Sequence, residues 1–170
     1  MTQQINLFVD TQGSLSRLSH MGDPLERLKT LVDWEKFRST LEDAVADPDR
    51  KAFSGRKRFD VVMMLRILAI KRFYQMGDDT LHYLIRDRLS YMRFIGVEAG
   101  HHLPSRATIN SFMRTIKNLG LYEDLMEQIE QQLRSQRFRI KRGKVLDVCF
   151  IRTSKAMGQS MPATEPHQEI

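Results

Sequence analysis

Cysteine is nearly absent from this 170-residue chain: Cys149 stands alone. No intramolecular disulfide framework can form, and a single thiol suits a reducing cytosol. Zinc-type spacings are missing too. Neither Cys-x-x-Cys nor His-x3-His occurs, so the His101-His102 pair reads as a solvated loop rather than a metal site. Long hydrophobic runs are also lacking. The longest apolar stretch, Val61 to Ile70, is cut by Arg66 and followed by Lys71 and Arg72, so no segment spans a bilayer. The opening MTQQINLFVD has neither the basic segment nor the apolar run of a secretory signal. No helical repeat of fixed period recurs, which argues against a solenoid. A cytoplasmic globular protein is what these absences leave, and 41% hydrophobic with 28% charged residues is ordinary for one.

What is present is basic charge in blocks. The formal net charge is only +6. Residues 50–93, however, carry 11 basic against 4 acidic side chains, and residues 134–155 carry 8 against 1. Residues 1–49 carry 5 against 9, and residues 120–133 carry four acidic side chains and no basic one. Basic blocks attract phosphate by Coulomb force and counterion release without reading sequence. Such a block also serves simply as a solvated helix face; two of them around helical hairpins point toward nucleic acid.

The apolar period is helical over most of the chain. Residues 1–22 are polar and read as a loosely ordered lead. Asp23-Pro24-Leu25-Glu26 is a helix start, with Asp as cap, Pro at the first helical position and Glu three residues after the cap. A second helix follows Asp33, with Phe37, Leu41, Ala44 and Val45 on one face, and Asp47-Pro48-Asp49 stops it. Lys51 to Arg58 is a basic loop. Asp60 caps a strongly apolar helix ended by Gly77, and Asp78 or Asp79 caps the next, which buries Leu81, Leu84 and Ile85 and shows Arg86 and Arg88. A short helix over Leu89–Ile95 closes at Gly96. Ser105 caps a helix with Ile109, Phe112, Met113 and Ile116 inward, and Gly120 is its left-handed stop. Leu121, Leu125, Ile129 and Leu133 then mark a last helix. Lys144 to Ile151 is β-branched and apolar and reads as one strand, which needs a neighbour to be stable. Met63, Met64, Met113 and Met126 fit as core fillers, and Trp34 fits as packing at a helix start.

On the helix capped by Ser105, the residues suited to DNA are Arg106, Asn110, Ser111 and Arg114. Asn110 and Arg114 stand one turn apart, and Asn and Arg are the side chains that read adenine and guanine edges with two bonds. The plainer alternative is that all four merely solvate the face opposite Ile109, Phe112 and Ile116. Arg56, Lys57 and Arg58 suit phosphate contact, because a loop positions charge more readily than it reads bases.

The segment GRKRFDVVMMLRILAIKRFYQMGDDTLHYLIRDRLSYMRFIGV resembles the N-terminal helical region of bacterial insertion-sequence transposases of the insertion sequence five group. The motifs that carry the likeness are Gly55-Arg56, Met64-Leu65-Arg66, Asp87-Arg88-Leu89-Ser90-Tyr91, Arg93-Phe94 and Gly96. It continues through Leu103-Pro104, Thr108 to Phe112 and Gly120-Leu121, and reaches Gly143 to Ile151. The resemblance implies a helix-turn-helix that grips the terminal inverted repeats of the element. It also implies a following ribonuclease-H-like domain that cuts DNA with two Asp, one Glu and a divalent metal. Asp147 matches the first of those carboxylates, on the first strand of that domain. Ser105 stands where the family has an acidic cap, and Ser111-Phe112-Met113 where it has Arg-Phe-Arg.

The expected architecture is therefore mainly α. It comprises a loose lead over 1–22, a helical DNA-binding domain with a helix-turn-helix over 23–138, and over 139–151 one β-strand of an incomplete ribonuclease-H-like domain. A disordered tail follows over 152–170. The resemblance implies a truncated transposase that binds double-stranded DNA and, with Asp147 as a relic lacking its two partners, does not cut alone. No cofactor is expected, Mg2+ being needed only with the complete catalytic domain. Full-length transposase or a second copy of this chain are the expected protein partners, the nucleoid of a bacterial cytoplasm the expected location, and no membrane is involved. The alternatives are a transposase completed by frameshifting, an inactivated remnant, and a helix-turn-helix transcription regulator.

Overall fold

A computed structural model describes residues 11–46, 58–98, 100–140 and 151–153. Its elements are α1 (Thr11–His20), α2 (Pro24–Leu31), a 3-10 turn (Glu35–Phe37), α3 (Arg38–Val45), α4 (Val61–Tyr74), α5 (Asp78–Asp87), α6 (Leu89–Ile95), α7 (Arg106–Asn118) and α8 (Leu121–Ser135). Two short strands, β1 (Phe138–Ile140) and β2 (Ile151–Thr153), complete them. The protein is mainly helical, as the apolar period requires.

The helix starts sit where the caps predict. Asp23 Oδ1 accepts the Leu25 N–H at 2.9 Å, Asp60 Oδ1 the Met63 N–H at 2.8 Å, and Ser105 Oγ the Thr108 N–H at 3.2 Å. Each satisfies a donor that the first helical turn leaves open, typically for about 1 kcal/mol. Gly96 (φ 87) and Gly120 (φ 73) stop their helices in the left-handed conformation. At Gly96 a side chain would also crowd Arg66, whose Nη1 lies 3.1 Å from the place a Cβ would take.

Eleven of the fourteen residues of α4 are buried, on every side of the helix. A helix apolar all round must be enclosed, and α3, α5, α6 and α7 all pack against it. The outer helices add a second layer: α1 and α2 lie on α6, and α8 lies on α7. Trp34 is buried, edge-on to Phe94 with ring centroids 5.5 Å apart, and its Nε1 donates to the Lys29 carbonyl at 3.1 Å. Met63, Met64 and Met126 are core residues.

Several boundaries differ from the sequence expectation. The polar lead contains α1, which buries none of its residues fully. What holds it is a polar tie invisible in its own composition. Arg93 Nη1 donates to the Leu15 carbonyl at 3.2 Å and to Ser19 Oγ at 2.7 Å, while Nη2 meets Asp23 Oδ2 at 2.5 Å and Glu26 Oε2 at 3.3 Å. α4 ends at Tyr74 because Gln75 turns left-handed (φ 51) and gives its N–H to the Lys71 carbonyl; Gly77 instead precedes α5, and Asp78 and Asp79 fall inside that helix's first turn. Arg86 is not a solvated residue: it donates to the His82 carbonyl at 2.9 Å and the Pro104 carbonyl at 2.8 Å, pinning the loop before α7 to α5. Residues 144–150 of the expected strand lie outside the described residues. Ile151, the last residue of that expected strand, begins β2, which pairs antiparallel with β1 in the register Phe138 to Thr153 and Ile140 to Ile151. A strand therefore has a partner within the chain, and the pairing runs into Arg152 and Thr153, which composition assigned to the tail.

Breaking a buried ion pair costs about 3–5 kcal/mol, because the surviving charge is left desolvated. The Asp23 side chain is only 4% exposed. Arg93→Met is therefore expected to lower the unfolding free energy by about that much, measured by urea denaturation. Adding Asp23→Asn to Arg93→Met should recover part of the loss; strictly additive losses would count against the pairing.

Candidate nucleic-acid interface

α7 is the helix on which the candidate DNA contacts converge. Ile109 and Ile116 are buried and Phe112 and Met113 half-buried, so one stripe faces α3, α4, α5 and α8. Ala107, Ser111, Arg114, Lys117 and Asn118 are exposed on the other side. The 3.6-residue period alone produces that division.

The four candidates on α7 do not share one environment. Arg106 is exposed but forms an ion pair with Asp79 of α5. Asn110 is half-buried, and its Nδ2 donates to Asp78 Oδ2 at 2.8 Å while its Oδ1 is buried without a hydrogen-bond partner. Its amide thus joins α7 to α5 within the free protein. Ser111 is exposed and lines an open cavity of about 660 Å³ that Arg58 also lines, together with Val45, Phe59, Thr108 and Thr115. Arg58 donates to the Val45 carbonyl there. Arg114 is exposed and has no ion-pair or hydrogen-bond partner among the described residues. Arg56, Lys57 and Asp147 lie outside the described residues.

Asp78 is the electrostatic centre of the α4–α5–α7 junction. The Lys71 ammonium of α4 and, secondarily, the Asn110 amide hold its carboxyl below the usual aspartate value of 3.8. Burial pushes the other way and is outweighed. Arg106 and Asp79 form a more exposed link beside it, of the kind worth about 0–1 kcal/mol. The sequence period could not have marked Asn110 as a structural residue, since its partner is 32 positions away. Lys117 was missed, although it follows Arg114 at the i,i+3 spacing that puts both on one side of a helix. It lies 4.9 Å over the Tyr122 ring.

His101 and His102 are exposed, and the His102 ring stacks on Phe59 at 5.5 Å. Among the described residues no three His, Cys, Asp or Glu side chains come together as metal ligands must, and no step through Mg2+ is assigned to them. Among the same residues, no helix is long and apolar enough to cross a membrane.

The family model described as "Transposase domain (DUF772)" matches residues 13–115, from the first turn of α1 to the last turn of α7. No solved structure matches the chain.

The lowered Asp78 carboxyl makes the α5–α7 junction acid-sensitive in a defined direction. A depressed folded-state value contributes stability that is complete above about 3.8 and is lost as pH falls through the lowered value. Asp78→Asn should therefore be less stable than the parent at pH 6 and lose less on acidification. Urea midpoints measured from about pH 6 down to about pH 2 check this, and parallel curves for the two proteins would exclude it.

Proposed function

The chain belongs to the transposase-domain family, and from that premise we propose that it binds double-stranded DNA at the terminal inverted repeats of an insertion sequence of the five group. The single observation that carries the reading is Arg114. It stands exposed on α7 without an intramolecular partner among the described residues, beside Ser111 and opposite the buried Ile109 and Ile116. A guanidinium in that position is prepared for bidentate bonding to a guanine edge in the major groove. Ser111 and Arg58, which line the same cavity, contact the backbone on either side of it. Arg56 and Lys57 precede Arg58 in sequence and add phosphate contacts.

Asn110 and Arg106 take secondary parts. A base contact by Asn110 costs its bond to Asp78, whereas Arg106 can exchange an exposed carboxylate for a phosphate with little loss. α5, α6 and α7 act together as the helix-turn-helix, with α7 as its reading helix and the Arg86–Pro104 bond setting how the loop delivers it. Asp147 corresponds to the first of the three carboxylates expected by resemblance, and strand cleavage needs all three together. The protein partner in this reading is a second copy of the chain or a complete transposase, acting on chromosomal DNA in the bacterial cytoplasm.

Fluorescence anisotropy on a duplex carrying the inverted repeats that flank the gene tests the proposal. Affinity should fall steeply as salt is raised from about 50 to 200 mM. Arg114→Ala should weaken binding by about 1–3 kcal/mol and relax the preference at one base pair. Salt-independent binding, or an Arg114→Ala protein indistinguishable from the parent, would refute it. Tight binding to an unrelated duplex alone would point to a transcription regulator instead.

A further inference from the structure

A second basic feature lies where the end of α4 meets α7 and α8. Lys71, Arg72 and Gln75 from the end of α4, Met113 and Lys117 from α7, and Tyr122 from α8 line an open cleft of about 390 Å³. Met76 also lines it, and three of the seven lining side chains are cationic. Among the described residues two carboxylates touch them, which leaves a positive surplus there. Lys71 is committed to Asp78. Arg72 Nη2 meets Glu123 Oε2 at 3.2 Å, but the Glu123 side chain is 69% exposed, so that pair is loosely held and easily exchanged. Among the described residues Lys117 meets no carboxylate and lies over the face of Tyr122.

Two further features belong to the cleft. Arg72 Nε is buried and has no hydrogen-bond partner among the described residues, although such a donor ordinarily finds an acceptor. Gln75 holds the left-handed backbone (φ 51) that ends α4, which sets its side chain at the rim of the cleft. Its side-chain amide, exposed at the cleft, can donate to an anion.

We infer that this cleft seats one phosphodiester of the DNA backbone, held by Arg72 and Lys117 with Gln75 at the rim. The inference rests on the reading of the chain as a DNA-binding protein and extends its surface beyond the predicted residues. Lys117 follows Arg114 by three positions on α7, so a strand whose base edge meets Arg114 passes close to the cleft. The cleft is open rather than enclosed, which suits a continuous polymer better than a small free anion. Glu123 leaves Arg72 when the phosphate arrives, exchanging one exposed acceptor for another of greater charge density.

The double variant Arg72→Gln, Lys117→Gln tests this, with Lys117→Ala alone as a version that changes an exposed side chain and loses only its contact with the Tyr122 ring; the melting temperature of each variant shows that it is folded. On the same duplex, the slope of log K against log[salt] should become shallower by about one in the double variant. The ratio of specific to non-specific affinity should stay unchanged, because phosphate contacts carry no sequence information. Glu123→Gln, which releases Arg72, should tighten binding several-fold. An unchanged slope in both cleft variants, with Arg114→Ala still weakening binding, overturns the cleft and leaves the DNA reading standing. A parent protein with no salt-dependent DNA affinity overturns both. If about 10 mM inorganic phosphate raises the parent's melting temperature, but not the double variant's, while the DNA slopes coincide, the cleft takes a free anion and the inference fails.

Discussion

The enclosure of α4 is the constraint on which the other elements depend. A helix with polar residues on one side needs covering from the other side only, but α4 has apolar side chains around its whole circumference. Four helices, α3, α5, α6 and α7, are therefore recruited to it. Each uses its own apolar stripe for the purpose, which decides the direction of its polar side. For α7 this puts Ile109 and Ile116 inward and Arg114 and Ser111 outward. The proposed DNA-reading face is thus a consequence of burying α4, and its rigidity derives from the same packing.

The motifs by which the sequence resembles insertion-sequence transposases turn out to be largely architectural. Arg66 lies half-buried with its guanidinium over the Trp34 ring, and burial pulls its pKa down from the ordinary arginine value. Phe94 is fully buried against Trp34, and Tyr91 is buried beside Tyr74. Gly96 is needed for a left-handed stop beside Arg66. Arg93 ties α6 to both α1 and α2, and its carbonyl accepts from Lys29 Nζ at 2.8 Å. In this chain such residues hold the helices together. The residues proposed to touch DNA lie instead where the packing leaves side chains uncovered.

Local chemistry was legible in the sequence and remote pairing was not. Asp23, Asp60 and Ser105 announce themselves as caps because a cap bonds to its own first turn. The stripes of α7 and α8 follow from period alone. By contrast α1 has no apolar signature, since a guanidinium more than seventy positions away holds it. The sequence places the end of α4 at Gly77, whereas Gln75 takes the left-handed turn. Asn110 and Arg114 look alike as polar residues one turn apart, yet the first is bound to Asp78 and the second is exposed, and only the placement of α5 distinguishes them.

The amino-acid sequence by itself determined the helical class, most of the helix boundaries, the basic blocks and the transposase family, all of which are written in short-range period, capping and motif order. The tertiary structure decided which of the charged residues are committed and which are available. Asp78 and Asp79 engage Lys71, Asn110 and Arg106, Arg93 and Arg86 are drawn into the scaffold, and Arg114 and Lys117 are left facing outward. The physical reason is that a charge acquires its role from what lies within about 4 Å of it, and in this protein those neighbours come from distant parts of the chain.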